Sequence, residues 1–206
     1  MLGFDSEIIY RIPALLIALT VHEYAHAQVA DSMGDPTPRM LGRLTLNPLA
    51  HLDPLGTLML VFVGFGWAKP VGINPSYFRN GRQGMMKVSF AGPGANLFLC
   101  FLASFIIAVM NKLGILTTGV YTFLAWTQLY NVWFAFFNLI PVPPLDGSKI
   151  LMAWLPGRQA YEYQKIEPYG MYILMGLLLT GIVSMIIGPL SSMFLRGTSL
   201  LLSLIF

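Results

Sequence analysis

The sequence predicts an all-α polytopic membrane protein, with about four to five transmembrane helices and a small membrane-associated β-hairpin or re-entrant loop between the first two. Three observations predict it. Hydrophobic residues make up 56% of the 206 and charged residues only 10%, against roughly 25% charged in soluble domains, and mean hydropathy is +0.68. Apolar runs of about 20 residues, the length that crosses a bilayer, recur along the chain. The basic residues gather in two of the intervening loops.

The first run covers residues 8–30. The start "MLGFDSEIIYRIP" has two acids before its only base and no small-residue cleavage site, so it does not resemble a signal peptide and the first run is expected to stay in the mature protein. Further runs cover residues 85–110, 121–140 and 169–190, and a shorter one, 195–206, is a candidate C-terminal membrane segment. The stretch Pro36–Gly84 is rich in Pro and Gly, interrupted by "GTLMLVFVGFG" (Gly56–Gly66). That run is short, β-branched and aromatic, which predicts extended chain or a hairpin dipping into the protein. Non-helical backbone at membrane depth survives only where protein or a water-filled cavity satisfies it, so this segment is expected to line something. In "NLIPVPPLDG" (Asn138–Gly147) three prolines end the third span and leave Asp146 near membrane depth. Ser148 is a candidate cap for the short helix that follows. With no repeat, low-complexity tract or long linker, residues 1–206 read as one membrane domain.

The net charge of +3 points to topology, not to nucleic acid. Arg39, Arg43, Lys69, Arg79, Arg82 and Lys87 lie between the first and second spans, and Lys149, Arg158 and Lys165 between the third and fourth: nine of the twelve bases. The positive-inside rule places those loops in the cytoplasm and the N-terminus outside. The single cysteine, Cys100, excludes an internal disulfide and reads as a small buried apolar side chain.

The chemistry is concentrated in "TVHEYAHAQVADS" (Thr20–Ser32). His22, Glu23 and His26 spell H-E-x-x-H in a predicted helix, where residues four apart share a face, so both imidazoles can meet one metal ion. Glu23 is placed to act on a water beside that metal. Ionisable groups inside a membrane are costly and usually functional. Catalytic zinc takes three protein ligands and keeps one open position. Running inward, the first span carries His22 about 21 Å from Ile8, and the third span delivers Asp146 at the same face. Asp146 is therefore a third-ligand candidate, with His51 as the alternative; "HLDP" around His51 has turn chemistry, which favours packing for His51 and capping for Asp53.

The motifs "HEYAH", "HLDPLGT", "GWAKPV", "AGPGAN" and "NLIPVPPLDG", in this order, resemble the site-2 protease family of intramembrane zinc metalloproteases over roughly residues 8–155. The resemblance implies one Zn2+ held by His22, His26 and Asp146, Glu23 as the catalytic base, and a transmembrane protein as substrate, cleaved within the lipid bilayer. Gly64, Phe65 and Gly66 resemble the family's re-entrant β-loop that pairs with an unwound substrate. Asn96 and Asn138 resemble positions that bind substrate or orient the site. The chain looks like a compact member without a PDZ domain, in a prokaryotic cytoplasmic membrane, with the active site toward the cytoplasm; oligomeric state is not legible. Two other readings compete: a zinc protease whose third ligand is Glu162 or Glu167, and a metal transporter or metal-binding membrane protein without protease activity. The outer halves of the spans lack a chain of ionisable residues, which disfavours a transport path.

Overall fold

The computed structural model describes residues 6–56 and 68–206, and within these the fold is helical with no strand. Gly64, Phe65 and Gly66, and most of the expected hairpin, lie outside the described residues. What flanks them is an isolated antiparallel bridge between Leu52 and Ala68, joined by a bond from the Lys69 amide to the His51 carbonyl at 2.9 Å.

The helices are α1 (Ile8–Ser32), α2 (Thr37–Met40), α3 (Gly81–Lys112), α4 (Thr118–Asn138), α5 (Asp146–Trp154), α6 (Gly157–Gln164), α7 (Gly170–Leu179) and α8 (Ile182–Ser203). Among the described residues, α1, α3 and α8 are long and apolar enough to cross a membrane. Their outward faces carry large apolar side chains such as Ile9, Phe98 and Met193, each at least 64% exposed, as expected where hydrocarbon, not water, is the surrounding medium.

α1, α3 and α4 pack against one another and form the centre of the molecule. The reason is written in α1: Ala14, Ala18, His22, His26 and Ala30 follow an i, i+4 ridge and are all buried. Small residues let helix backbones approach closely, the main source of helix packing where lipid removes the hydrophobic incentive. The same ridge that brings α3 and α4 close therefore carries the two histidines into the interior.

Local signals set the helix ends. Asn80 caps α3, its side chain accepting from the Gln83 amide at 3.2 Å, and Thr117 starts α4, accepting from the Val120 amide at 3.4 Å. Between α4 and α5 the chain folds tightly. An added Cβ on Gly147 would stand 2.2 Å from the Leu139 carbonyl oxygen, and one on Gly170 2.3 Å from that of Pro143, so both positions admit only glycine. Ser148 does not cap α5: the helix begins two residues earlier at Asp146, and the Ser148 hydroxyl donates back to the Leu145 carbonyl at 2.6 Å.

The C-terminal third departs from expectation. Residues 169–190 do not form one span, because α7 stops at Leu179 and Gly181 adopts a left-handed φ of +74°. Its amide bonds the Leu178 carbonyl at 3.1 Å, while the Thr180 hydroxyl bonds the Gly176 carbonyl at 2.8 Å. Glycine in this conformation ends helices at no steric cost, and a hydropathy window passes over it unnoticed. α8 then absorbs both the second half of the expected span and most of the short segment expected at 195–206. Ile187, Val183 and Leu174 pack with Ile140 and Leu145, placing α7 and α8 behind the loop that carries Asp146.

Candidate metal centre

Three side chains from two distant parts of the chain meet at the C-terminal half of α1. The Nε2 atoms of His22 and His26 are 3.0 Å apart; Asp146 Oδ2 lies 3.2 Å from the first and 3.1 Å from the second. All three residues are buried. Among the described residues this is the one group of three or more His, Cys, Asp or Glu close enough to share a metal ion.

Each imidazole is held from behind. The Nδ1–H of His22 donates to Asn96 Oδ1 at 2.6 Å, and that of His26 donates to the Val88 carbonyl at 2.7 Å. With Nδ1 protonated, each Nε2 turns a lone pair toward Asp146. The Asn96 amide is itself oriented, since its Nδ2 donates to the Ala18 carbonyl at 2.9 Å and to Asn131 Oδ1 at 2.8 Å. Asp146 is buried, and its place in the first turn of α5 favours the anion through the helix dipole.

Three electron-rich atoms facing one another at about 3 Å repel unless a positive charge sits among them. The separations fit a tetrahedral cation: ligand atoms about 2.0–2.1 Å from zinc stand roughly 3.3 Å apart, and those here are 3.0–3.2 Å apart. Two imidazoles and one carboxylate form a donor set that suits zinc and leaves a fourth corner open. Gly92 of α3 meets the two rings without a side chain: an added Cβ would lie 2.5 Å from His26 Nε2 and 2.7 Å from His22 Nε2.

The centre opens into a cavity of about 120 Å³ lined by His22, Glu23, His26, Asn138, Asp146 and Lys149, with Pro70, Val71 and Ile73 from the loop before α3. Glu23 thus shares the cavity with the cluster. Asn138 lines it too, its Nδ2 donating to the Phe134 carbonyl at 3.0 Å. Asn96 meets His22 from the side away from the cavity. His51 stands apart from the cluster: it is fully buried and its Nε2 donates to the Thr45 carbonyl at 2.8 Å. Asp53 accepts from the Gly56 amide at 2.8 Å, a turn bond. Glu162 is exposed and paired with Lys165 at 2.9 Å.

Sequence reasoning missed Asn131, the Val88 carbonyl, Gly92 and Lys149. A polar Asn131 inside an apolar run was the available signal for the first, and the "GPG" of "AGPGAN" for Gly92. A backbone carbonyl such as that of Val88 has no signal in sequence.

The geometry defines a membrane protein with a buried His/His/Asp centre and a carboxylate beside it. The sequence model of peptidase family M50 matches residues 106–181, which include the Asp146 loop. The chain is 39% identical over 187 residues to "Putative zinc metalloprotease YwhC" of Bacillus subtilis (strain 168), covering 88% of this chain and 85% of that one. It is 30% identical over 186 residues to "Putative zinc metalloprotease Rip2" of Mycolicibacterium smegmatis, covering 87% and 70%, and 25% identical over 173 residues to a zinc metalloprotease of Methanocaldococcus jannaschii, covering 83% and 42%. No solved structure matches the chain. The chain belongs to peptidase family M50, in keeping with the site-2 protease resemblance of its motifs.

Proposed function

We propose that the chain is an intramembrane zinc endopeptidase that cleaves transmembrane segments of membrane-protein substrates near the cytoplasmic face. The observation that carries this reading is the convergence of His22 Nε2, His26 Nε2 and Asp146 Oδ2 to within 3.0–3.2 Å of one another, beside a cavity that Glu23 also lines. His22, His26 and Asp146 hold one Zn2+. Bound zinc supplies Lewis acidity, polarising a carbonyl oxygen and lowering the pKa of a water toward about 7.

The protein does the rest. Glu23 takes a proton from the attacking water and passes it to the departing amide nitrogen, so that one peptide bond and one water become a carboxylate and an amine. Asn138 contacts the substrate backbone from the cavity wall.

In the bilayer, α1, α3 and α8 cross, and α4 makes a fourth crossing, since its 21 residues reach about 31 Å. The nine bases gathered in and beside the two inner connections favour a topology with the N-terminus outside and the cavity toward the cytoplasm. Residues 1–206 act as one catalytic domain in a prokaryotic cytoplasmic membrane.

Co-expression with candidate single-span substrates tests the reading. With Glu23→Gln, full-length substrate is expected to accumulate while zinc stays bound. Equal cleavage by wild type and variant would remove Glu23 from its role, and zinc-free purified protein that still cleaves would remove the metal.

A further inference from the structure

The hydrogen bond behind His22 does not end at Asn96. Asn131 of α4 accepts from Asn96 Nδ2 at 2.8 Å and its own Nδ2 donates to the Thr127 carbonyl at 2.8 Å. Both asparagines are 0% exposed. The chain therefore runs from α4 through α3 to α1: Thr127 carbonyl, Asn131, Asn96, His22.

The direction of this chain is chemically fixed. An amide side chain has a donor end and an acceptor end, and reversing it reverses every bond it makes. The Thr127 carbonyl can only accept, so Asn131 must present its nitrogen there and its oxygen to Asn96. Asn96 must then present its nitrogen to Asn131, helped by the acceptor-only carbonyl of Ala18, and its oxygen to His22. His22 in turn must carry its proton on Nδ1, which leaves the Nε2 lone pair free to face the centre. The opposite orientation of Asn96 would put its NH2 against His22 Nδ1, drive the proton to Nε2 and close that position to a metal.

We propose that Asn131 is a positioning residue for the metal centre, fixing the tautomer and aim of His22 through Asn96 from outside the cavity lining. The inference rests on the metal reading above. Without Asn131 one amide hydrogen of Asn96 is left unpaired in a low-dielectric interior, where that loss is costly, and half of what orients Asn96 is gone. Partners behind a metal-ligating histidine typically carry 10–100-fold in metal affinity, and one step further back the expectation is about tenfold.

The test is zinc affinity, measured by competition with a chromophoric chelator on the full chain in detergent, with thermal unfolding followed alongside. Asn131→Leu removes the acceptor at similar size. Asn131→Asp keeps an oxygen toward Asn96 and, protonated in this interior, a donor toward Thr127. Ser104→Ala is the control, since it breaks a different α3–α4 bond, Gln128 Nε2 to Ser104 Oγ at 2.7 Å, away from the site. Zinc binding about tenfold weaker in Asn131→Leu, with Asn131→Asp and Ser104→Ala within about threefold of wild type, is the expected result. Unchanged affinity in Asn131→Leu overturns the inference, as does an equal loss in Ser104→Ala, which would reduce Asn131 to helix packing, or a loss in Asn131→Asp as large as in Asn131→Leu. Should Asn131→Leu not fold, Asn131→Ala takes its place with the same expected loss. Wild type that binds no zinc overturns the metal reading itself, which is a separate result from wild type and Asn131→Leu binding equally well.

Discussion

Gly92 lies directly against His26: a Cβ built on this glycine would stand 2.5 Å from the Nε2 atom of that imidazole and closer still to nothing else. α3 thus forms the floor of the metal centre, and the absence of a side chain at this point is what lets two imidazoles meet. Gly92→Ala is expected to displace both rings. Overpacking of this kind costs about 1–3 kcal/mol, which is roughly a 10- to 100-fold loss of zinc affinity if the strain is released by moving the ligands. Metal titration checks it, and zinc affinity unchanged from wild type would show that the floor yields instead of the rings.

The third ligand separates two protease chemistries. Asp146→Ala is expected to lose stoichiometric zinc and all cleavage, because two imidazoles remain where catalytic zinc requires three protein ligands. Glu162→Ala is expected to retain both, since Glu162 is exposed and bonded to Lys165. Metal content of the two purified variants decides the matter; the reverse pattern would move the ligand to α6.

Gly147 follows Asp146 and packs against the backbone of Leu139 and Ile140. Carbonyl groups of the main chain cannot swing aside as a side chain can. Gly147→Ala is therefore expected to lower the thermal midpoint by several degrees, in line with a loss of about 1–3 kcal/mol, and to weaken zinc binding together with it, since Asp146 moves with the turn. A stable variant with normal zinc content would mean that the turn opens without consequence.

Arg82 near the start of α3 donates to the Met152 carbonyl at 2.9 Å and also reaches the Leu155 carbonyl, capping the C-terminal end of α5, the helix that starts with Asp146. The contact is exposed, so its loss in Arg82→Ala is expected to cost only about 1 kcal/mol. Zinc affinity should fall by several-fold or less, with cleavage following. Chelator titration of Arg82→Ala beside Arg82→Lys reads the effect; a loss as large as that of Asp146→Ala would place Arg82 at the centre itself.

Removing metal gives the broadest check. A membrane-permeant chelator is expected to abolish cleavage, and added Zn2+ to restore it, with Glu23→Gln binding the restored zinc but remaining inactive. Cleavage that persists in the chelator would set aside the zinc mechanism.

The sequence by itself determined the class of fold and the residues that are candidates for the chemistry. Apolar runs must be covered by lipid or protein, and His22, Glu23 and His26 are brought together by the repeat of one helix, a relation between residues at most four apart that needs no tertiary information. Asp146 was legible because prolines end the third run at the depth that H-E-x-x-H reaches. The tertiary structure decided what depends on direction and on contact between distant segments. That α3 offers a bare backbone at Gly92, that the Val88 carbonyl fixes one imidazole and the Asn131–Asn96 pair the other, and that Gly181 breaks the last expected span are each matters of a few ångströms. Hydropathy averages over such distances, whereas hydrogen-bond polarity and steric fit are settled only when particular atoms meet.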